Sequence, residues 1–197
     1  MPSLFRASSP AATTARAPQK IWCSKSSPIK KIAVIDSRSA GSELVLLVKK
    51  ICELIESGAD FETVVEKAEL YSRHTHVVFA LSSFNNLVKN GRMSKIVGFV
   101  ANKLGFWGIG IGSEQGTIEI KQKIRGSKKA LDAIIEDMKE RGYNCGKVVI
   151  SHCRNAEFAE SVKSAIQSVW DKAEVKIVHA RGLCSYYAEK GGLIIGF

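Results

Sequence analysis

From residue 32 onward, hydrophobic positions along the chain follow two alternating patterns. Between residues 44 and 57 apolar side chains recur every three or four positions, which predicts a helix that ends at Gly58. Similar spacing and helix-boundary residues predict further helices over 61–73, 85–89, 94–104, 128–141, 157–170 and 185–189. Short apolar runs predict strands over 32–35, 75–81, 108–111, 117–124, 148–150, 175–178 and 193–195. Strands that alternate with helices are typical of an α/β protein.

Serine residues stand in front of two of these helices. Ser94 and Ser127 are predicted to cap them, because a serine hydroxyl accepts a hydrogen bond from the first turn of a helix. The inward face of the second of these helices is predicted from its apolar positions: Ala130, Leu131, Ile134, Ile135 and Met138.

Residues 1–31 differ from the rest of the chain. They are rich in Ala, Ser, Thr and Pro, contain no acidic residue and show no periodic apolar pattern. A disordered tail has such a composition, and so does a targeting peptide rich in Arg and Ser. Both interpretations stay open on composition alone.

The formal net charge of +10 raises the question of nucleic-acid binding. Six of the basic residues lie in residues 1–31, and bases and acids are interspersed in the remainder. A nucleic-acid interface is instead typically a basic stripe with aromatic or polar readers. We therefore expect no nucleic-acid partner, and no apolar run is long enough to predict a membrane span.

The sequence shows no pattern that indicates catalysis or a structural metal. Its five cysteines are scattered and include no C-x-x-C pair, so we expect reduced thiols, a cytoplasmic location and no zinc site. The spaced glycines of GIGIG at 108–112 lie between two predicted strands, whereas a dinucleotide fingerprint opens a helix. We therefore expect a protein that is not an enzyme.

Four segments stand in the same order as the motifs of a known family. They are VIDS at 34–37, LVKNGRMSK at 87–95, IRGSKKAL at 124–131 and RGLCSYYAEKGG at 181–192. Together they resemble the DegV family, whose members bind a long-chain fatty acid, and the resemblance covers residues 32–197.

The resemblance implies two α/β domains with a fatty acid between them. We expect residues 1–31 to lie outside the fold, 32–74 to be the remnant of an incomplete first domain, and 75–197 to form a complete second domain. The resemblance also implies a non-catalytic carrier that needs no cofactor besides its lipid and, in some relatives, presents it to a fatty-acid kinase subunit. The alternative is a truncated interaction module that docks a partner without lipid.

Candidate site residues follow from the strand ends, the helix starts and the family motifs. Six are candidates for contact with the lipid carboxylate or another anion: Asp36, Ser37, Arg92, Arg125, His152 and Tyr187. Four apolar residues are candidates for the lining of a tunnel around the tail: Phe99, Leu104, Phe106 and Trp107.

The chain departs from the family pattern in two places. Tyr187 stands where many relatives have a histidine near the lipid head, and a phenol donates one hydrogen bond but carries no charge near neutral pH. The first half-domain, with its serine- and threonine-rich motifs, is not matched. A reading frame shifted by one nucleotide across residues 4–16 permits a serine-glycine-serine-tyrosine segment like one of these motifs, so we favour a frameshift as the origin of residues 1–31.

Overall fold

The computed structural model describes residues 31–91, 105–113 and 116–197, and these residues form helices and strands that alternate along the chain. The helices are α1 (Ser42–Glu56), α2 (Phe61–Ser72), α3 (Asn85–Lys89), α4 (Ser127–Glu140), α5 (Ala156–Val169) and α6 (Gly182–Ala188). The strands are β1 (Val77–Leu81), β2 (Phe106–Gly112), β3 (Ile118–Arg125), β4 (Lys147–His152), β5 (Glu174–His179) and β6 (Leu193–Gly196). The α/β fold class predicted from the sequence is confirmed.

The strands form one mixed sheet in the order β3-β2-β1-β6-β4-β5. Only β4 and β5 of these strands run parallel, and α5 supplies the crossover that a parallel pair requires. β1 and β6 lie at the centre and are buried along nearly their whole length. Their continuous apolar sequences reflect this burial on both faces of the sheet.

Helices cover both faces of the sheet. On one face α4 and α5 form a core with side chains such as Val78, Ile150 and Ile195. On the other face α3 and α6 enclose a smaller apolar cluster around Phe79 and Ile194. Alternate residues of β1 and β6 therefore belong to different cores, as the two-residue period of a strand requires.

α1 lies on the same face as α3 and α6, where it packs over β4 and β6. The Ser42 hydroxyl donates to the Ile194 carbonyl at 2.6 Å and lies 2.8 Å from the Ser151 hydroxyl. The helix can approach so closely because Gly196 has no side chain, and a Cβ there would lie 2.4 Å from the Glu43 nitrogen. The first residues of α1 are therefore fixed against the centre of the sheet.

Most helix boundaries lie within two residues of the sequence prediction, but α6 begins three residues early and one predicted cap is wrong. α3 spans the predicted residues, and Asp60 caps α2 by accepting a 2.8 Å hydrogen bond from the Thr63 N–H. Ser127 is the first residue of α4 rather than its cap, because Gly126 occupies the cap position with φ of 92° and no side-chain hydrogen bond. Ser94 and the helix predicted over 94–104 lie outside the described residues.

The strand predicted over residues 32–35 is also wrong. These residues form no strand, and Ile32 and Val34 are 61% and 74% exposed. A strand needs a neighbour that completes its backbone hydrogen bonds, and the described sheet places none beside this segment. The proposed division of the chain at residue 74 stays a prediction, although α1 packs on the sheet formed by later residues.

Among the residues that the structure describes, no helix has the length and apolar character needed to cross a membrane.

Candidate functional site

A narrow apolar crevice lies on the α3/α6 face of the sheet. It runs between β1, the two short helices and the segment that precedes α1, and it encloses about 30 Å³. Its walls are mainly apolar side chains from distant parts of the sequence: Val77, Phe79, Leu81, Leu87, Ile118, Cys184, Tyr187 and Ile194. We refer to this feature as the apolar crevice.

Alternate glycines in β2 shape the crevice wall. Gly110 lies under the Phe79 ring, and a Cβ at Gly110 would lie only 2.3 Å from that ring. Gly108 has the same relation to Phe84, again at 2.3 Å. The spaced glycines thus leave room for two aromatic rings that pack against the strand, which gives the glycines a structural role.

A β-bulge in the neighbouring strand completes the same wall. The pairing of β2 with β3 shifts between Ile109 and Gly110, so that Lys121 is left as the extra residue. As a result Ile118 and Ile120 pack with the crevice cluster, whereas Ile124 packs with the core on the opposite face. An unbroken strand would have placed all three isoleucines on one face.

Tyr187 forms part of the crevice wall. It is buried, and its ring makes an edge-to-face contact with Tyr186 at a centroid distance of 5.2 Å. Cys184, one turn earlier on α6, lines the crevice as well, and burial raises the pKa of its thiol. The Cys184 thiol therefore behaves here as an apolar wall group.

Asp36 and Ser37 lie close to one end of the crevice. They precede Arg38, Ser39 and Ala40, which line it directly. The Asp36 carboxylate accepts a 3.2 Å hydrogen bond from the Arg38 N–H, and the Ser37 hydroxyl accepts one of 3.3 Å from the Ser39 N–H. Both side chains line a polar cleft that adjoins the crevice.

Glu43 is a buried carboxylate that the sequence analysis missed. It lies in the first turn of α1, where the Thr75 hydroxyl donates to it at 2.8 Å and the Ser39 hydroxyl donates to its other oxygen. Burial raises the pKa of the Glu43 carboxyl, and the two hydroxyl hydrogen bonds partly oppose that rise. The sequence did contain a sign of this buried carboxylate. Glu43 lies one turn before Leu46 and Leu47, beside the face of the predicted helix that is buried.

His152 does not lie at the crevice. It ends β4, is 3% exposed, and its side chain points to the opposite face of the sheet from that of Ser151. Its Nδ1 accepts a 3.1 Å hydrogen bond from the Asn155 N–H, and its ring lies 4.5 Å from that of His179. Burial, with a smaller contribution from His179, lowers the pKa of His152, which favours the neutral form.

Arg125 and Phe106 contact each other at the far end of the β2–β3 hairpin. The Arg125 guanidinium lies 5.8 Å from the centroid of the Phe106 ring, as in a cation–π contact, and neither residue lines the crevice. Trp107 packs against Phe158 of α5 at 4.7 Å and joins the core on the other face. The structure therefore brings none of these three residues to the crevice.

Three candidate residues lie outside the described residues: Arg92, Phe99 and Leu104.

A larger cavity of about 350 Å³ lies beneath α1 and α2, but its chemistry differs from that of the crevice. Its walls include Lys49, Lys50, Arg141 and Lys147. The crevice walls are almost entirely apolar, so an extended hydrocarbon chain suits the crevice and a polar molecule suits the larger cavity.

The family model described as "Uncharacterised protein, DegV family" matches residues 8–197. A DegV domain-containing protein of Streptococcus pneumoniae is 43% identical over 170 residues, which cover 86% of this chain and 60% of the relative. The chain thus spans about 60% of the length of this curated relative.

Two solved structures share the arrangement of helices and strands. One is the S. pneumoniae Fatty Acid Kinase (Fak) B3 protein loaded with linoleic acid, with a TM-score of 0.82 and 43% identity over 86% of this chain and 60% of that one. The other is a family protein from Eubacterium eligens loaded with heptadecanoic acid, with a TM-score of 0.81 and 37% identity over 84% and 60% of the two chains.

Proposed function

The chain belongs to the DegV family, and we propose that it binds a long-chain fatty acid along the apolar crevice. The observation that carries the proposal is the continuous apolar wall formed by β1, α3, α6 and β6. Two relatives of similar structure are loaded with linoleic and heptadecanoic acid. These acids differ in saturation, so the shared feature is the long hydrocarbon tail.

Burial of methylene groups supplies the driving force for this binding. Each methylene removed from water contributes about 0.8 kcal/mol. The crevice encloses about 30 Å³, whereas a pocket that surrounds a ligand encloses about 300–1,000 Å³. We therefore propose that the crevice is one wall of the lipid site and that the tail lies along it.

The polar end of the crevice is where we place the carboxylate. Ser37 carries a hydroxyl group there, and the Arg38 side chain is the nearest base in sequence. The Ser39 hydroxyl already donates to Glu43. The Tyr187 hydroxyl is a further donor in the wall. Ionised Asp36 can only accept hydrogen bonds, so its proposed role is to position Arg38 through the contacts it makes with that residue.

The role that follows is that of a cytoplasmic, non-catalytic carrier. A fatty acid held along a crevice with its carboxylate at one end is suited to presentation to a second protein. The similarity to a protein named for a fatty-acid kinase supports a kinase subunit as that partner.

Two cysteine substitutions test the lipid site. Cys184→Phe places a ring inside the crevice, whereas Cys145→Phe makes the same change at an exposed cysteine outside it. We expect delipidated wild-type protein to bind cis-parinaric acid, Cys184→Phe to bind it about tenfold more weakly, and Cys145→Phe to match the wild type. This loss corresponds to about 1.4 kcal/mol.

Two further measurements keep this test decisive. Urea unfolding of both variants separates a blocked crevice from a lost fold, and mass spectrometry of organic extracts identifies any acid that co-purifies with the chain. Equal affinity of two folded variants would contradict the proposed location, and absence of binding to the wild type would contradict the carrier function.

A second candidate function is an interaction module that binds a protein without lipid. Leu44, Val48 and Ile55 lie along one outward side of α1, and Val48 and Ile55 are 52% and 60% exposed. An apolar stripe of this kind favours contact with another chain. If it is an interface, light scattering will show self-association that Val48→Lys abolishes and that Val169→Lys, at another exposed valine, leaves unchanged.

A further inference from the structure

Glu189 has a backbone conformation that ordinary side chains avoid. It follows α6 with φ of 54° and ψ of 177°, a combination found almost only at glycine. A residue that is not glycine keeps such a conformation only when its surroundings impose it. The contacts of the Glu189 side chain supply that constraint.

The Glu189 carboxylate bridges two segments that are distant in sequence. One oxygen accepts a 2.9 Å hydrogen bond from the Asn86 N–H in the first turn of α3. The other accepts a 2.6 Å hydrogen bond from the Ser83 hydroxyl, just before that helix. The carboxylate thus connects the end of α6 to the start of α3.

The start of α3 lacks a cap of its own, which explains why it needs this bridge. Phe84 occupies the cap position and makes no side-chain capping hydrogen bond. Its ring is buried over Gly108 instead. The N–H groups in the first turn of a helix have no partner within the helix, and Glu189 supplies one together with a favourable negative charge.

Further hydrogen bonds join the same two helices. The Asn86 side-chain amide donates to the Tyr186 carbonyl at 2.8 Å, and that of Asn90 donates to the Tyr186 hydroxyl at 3.0 Å. These helices carry two walls of the apolar crevice, Leu87 on α3 and Tyr187 on α6. The bridge therefore fixes the separation of these two walls.

We propose that Glu189 is a positioning residue for the lipid tail, which holds α3 against α6 and so sets the width of the apolar crevice. This inference rests on the proposed function, because the tail is the ligand that the crevice would retain. Loss of the carboxylate frees the start of α3, and the wall that carries Leu87 then moves away from Tyr187 more readily. A bound acid is released faster as a result.

Substitutions at residue 189 test this role. Glu189→Gly removes the bridge and suits the backbone conformation, whereas Glu189→Gln keeps groups that can bond to both the Asn86 N–H and the Ser83 hydroxyl. Lys190→Ala serves as a control at an exposed neighbour. The measurements are the dissociation rate of cis-parinaric acid from the full chain and the hydrogen exchange of the Asn86 amide.

We expect Glu189→Gly to accelerate both dissociation and Asn86 exchange by about tenfold, the factor that corresponds to one hydrogen bond to a charged group. Lys190→Ala should stay within about twofold of the wild type, and Glu189→Gln should lie between the wild type and Glu189→Gly, because the amide keeps both hydrogen bonds but not the charge. Partial rescue by glutamine separates positioning from a general loss of stability. Equal dissociation rates in Glu189→Gly and the wild type would overturn the proposal.

The same measurements distinguish failure of lipid binding from failure of the positioning role of Glu189. If the wild type binds no acid, the carrier function is refuted and the positioning role for the tail falls with it. Exchange at Asn86 then shows whether the bridge itself exists, because unchanged protection in Glu189→Gly would refute the bridge as well.

Discussion

The contact between Gly110 and the Phe79 ring gives a sharp test of the crevice geometry. In Gly110→Ala the new Cβ would lie 2.3 and 2.6 Å from two atoms of that ring and 2.6 Å from the Glu119 carbonyl. Such distances require movement of the ring or of the backbone. The ring lines the crevice, so its movement would change the crevice wall.

The expected cost is that of an overpacked core, about 1–3 kcal/mol. In Phe79→Leu the two ring atoms nearest the new Cβ are removed, at a cost of about 1 kcal/mol as a hydrophobic exchange of similar volume. The double variant is therefore expected to be more stable than the sum of the single effects predicts, by about 1–2 kcal/mol. Part of the clash remains, because the Glu119 carbonyl is still present.

Urea unfolding measures these free energies, since the unfolding midpoint moves by about 0.3–1 M for each kcal/mol lost. Gly108→Ala is the matched control, because its Cβ would meet the Phe84 ring at 2.3 Å instead. Phe79→Leu should relieve Gly110→Ala and leave the cost of Gly108→Ala unchanged. Two results would refute the specific contact between Gly110 and Phe79. One is that Phe79→Leu rescues both glycine variants equally, and the other is that its effect adds to that of each glycine variant within about 0.5 kcal/mol.

Three further predictions concern stability. Because burial raises the pKa of Glu43, the folded state binds more protons above the ordinary carboxyl pKa. The free energy of unfolding therefore falls as the pH rises from the ordinary carboxyl pKa to the raised pKa of Glu43. Urea unfolding at a series of pH values should show a smaller fall for Glu43→Gln than for the wild type. Asp137→Ala should cost about 1–3 kcal/mol, because Lys121 and Arg141 each lose a 2.8 Å partner on a buried carboxylate; a cost below about 0.5 kcal/mol would contradict this. Asp60→Ala should lower the midpoint of thermal unfolding by removing the α2 cap, and an unchanged midpoint would contradict this prediction.

Local elements of this fold were predictable because their causes lie within a few residues. The ends of α3 were predictable from a pair of apolar residues within it and from Asn90–Gly91, where the helix ends. The inward face of α4 follows from the helical period, and Ala130, Ile134 and Met138 are buried as predicted. One local prediction that failed concerned a detail of backbone conformation: Gly126, not Ser127, occupies the cap position of α4.

Family motifs pointed to some residues of the crevice and not to others. Tyr187 lines the crevice whereas Arg125 does not, and the role of Tyr187 in binding stays a prediction. Phe106 and Trp107 were grouped because they are adjacent apolar residues, but adjacent strand residues point to opposite faces, and Trp107 lies in the core beside α5. His152 was placed correctly at a strand end, yet the crevice lies on the face that its side chain does not reach.

The α/β class, most of the helices and strands, and the DegV family could be predicted from the chain alone, because they depend on short-range periodicity and contiguous motifs. The residues that meet at the crevice could be identified only from the folded structure. The bulge at Lys121 sends Ile120 and Ile124 to opposite faces. The carboxylate of Glu189 bonds to a helix 103 residues away. Such contacts depend on how the whole sheet brings distant segments together, which no local pattern in the chain records.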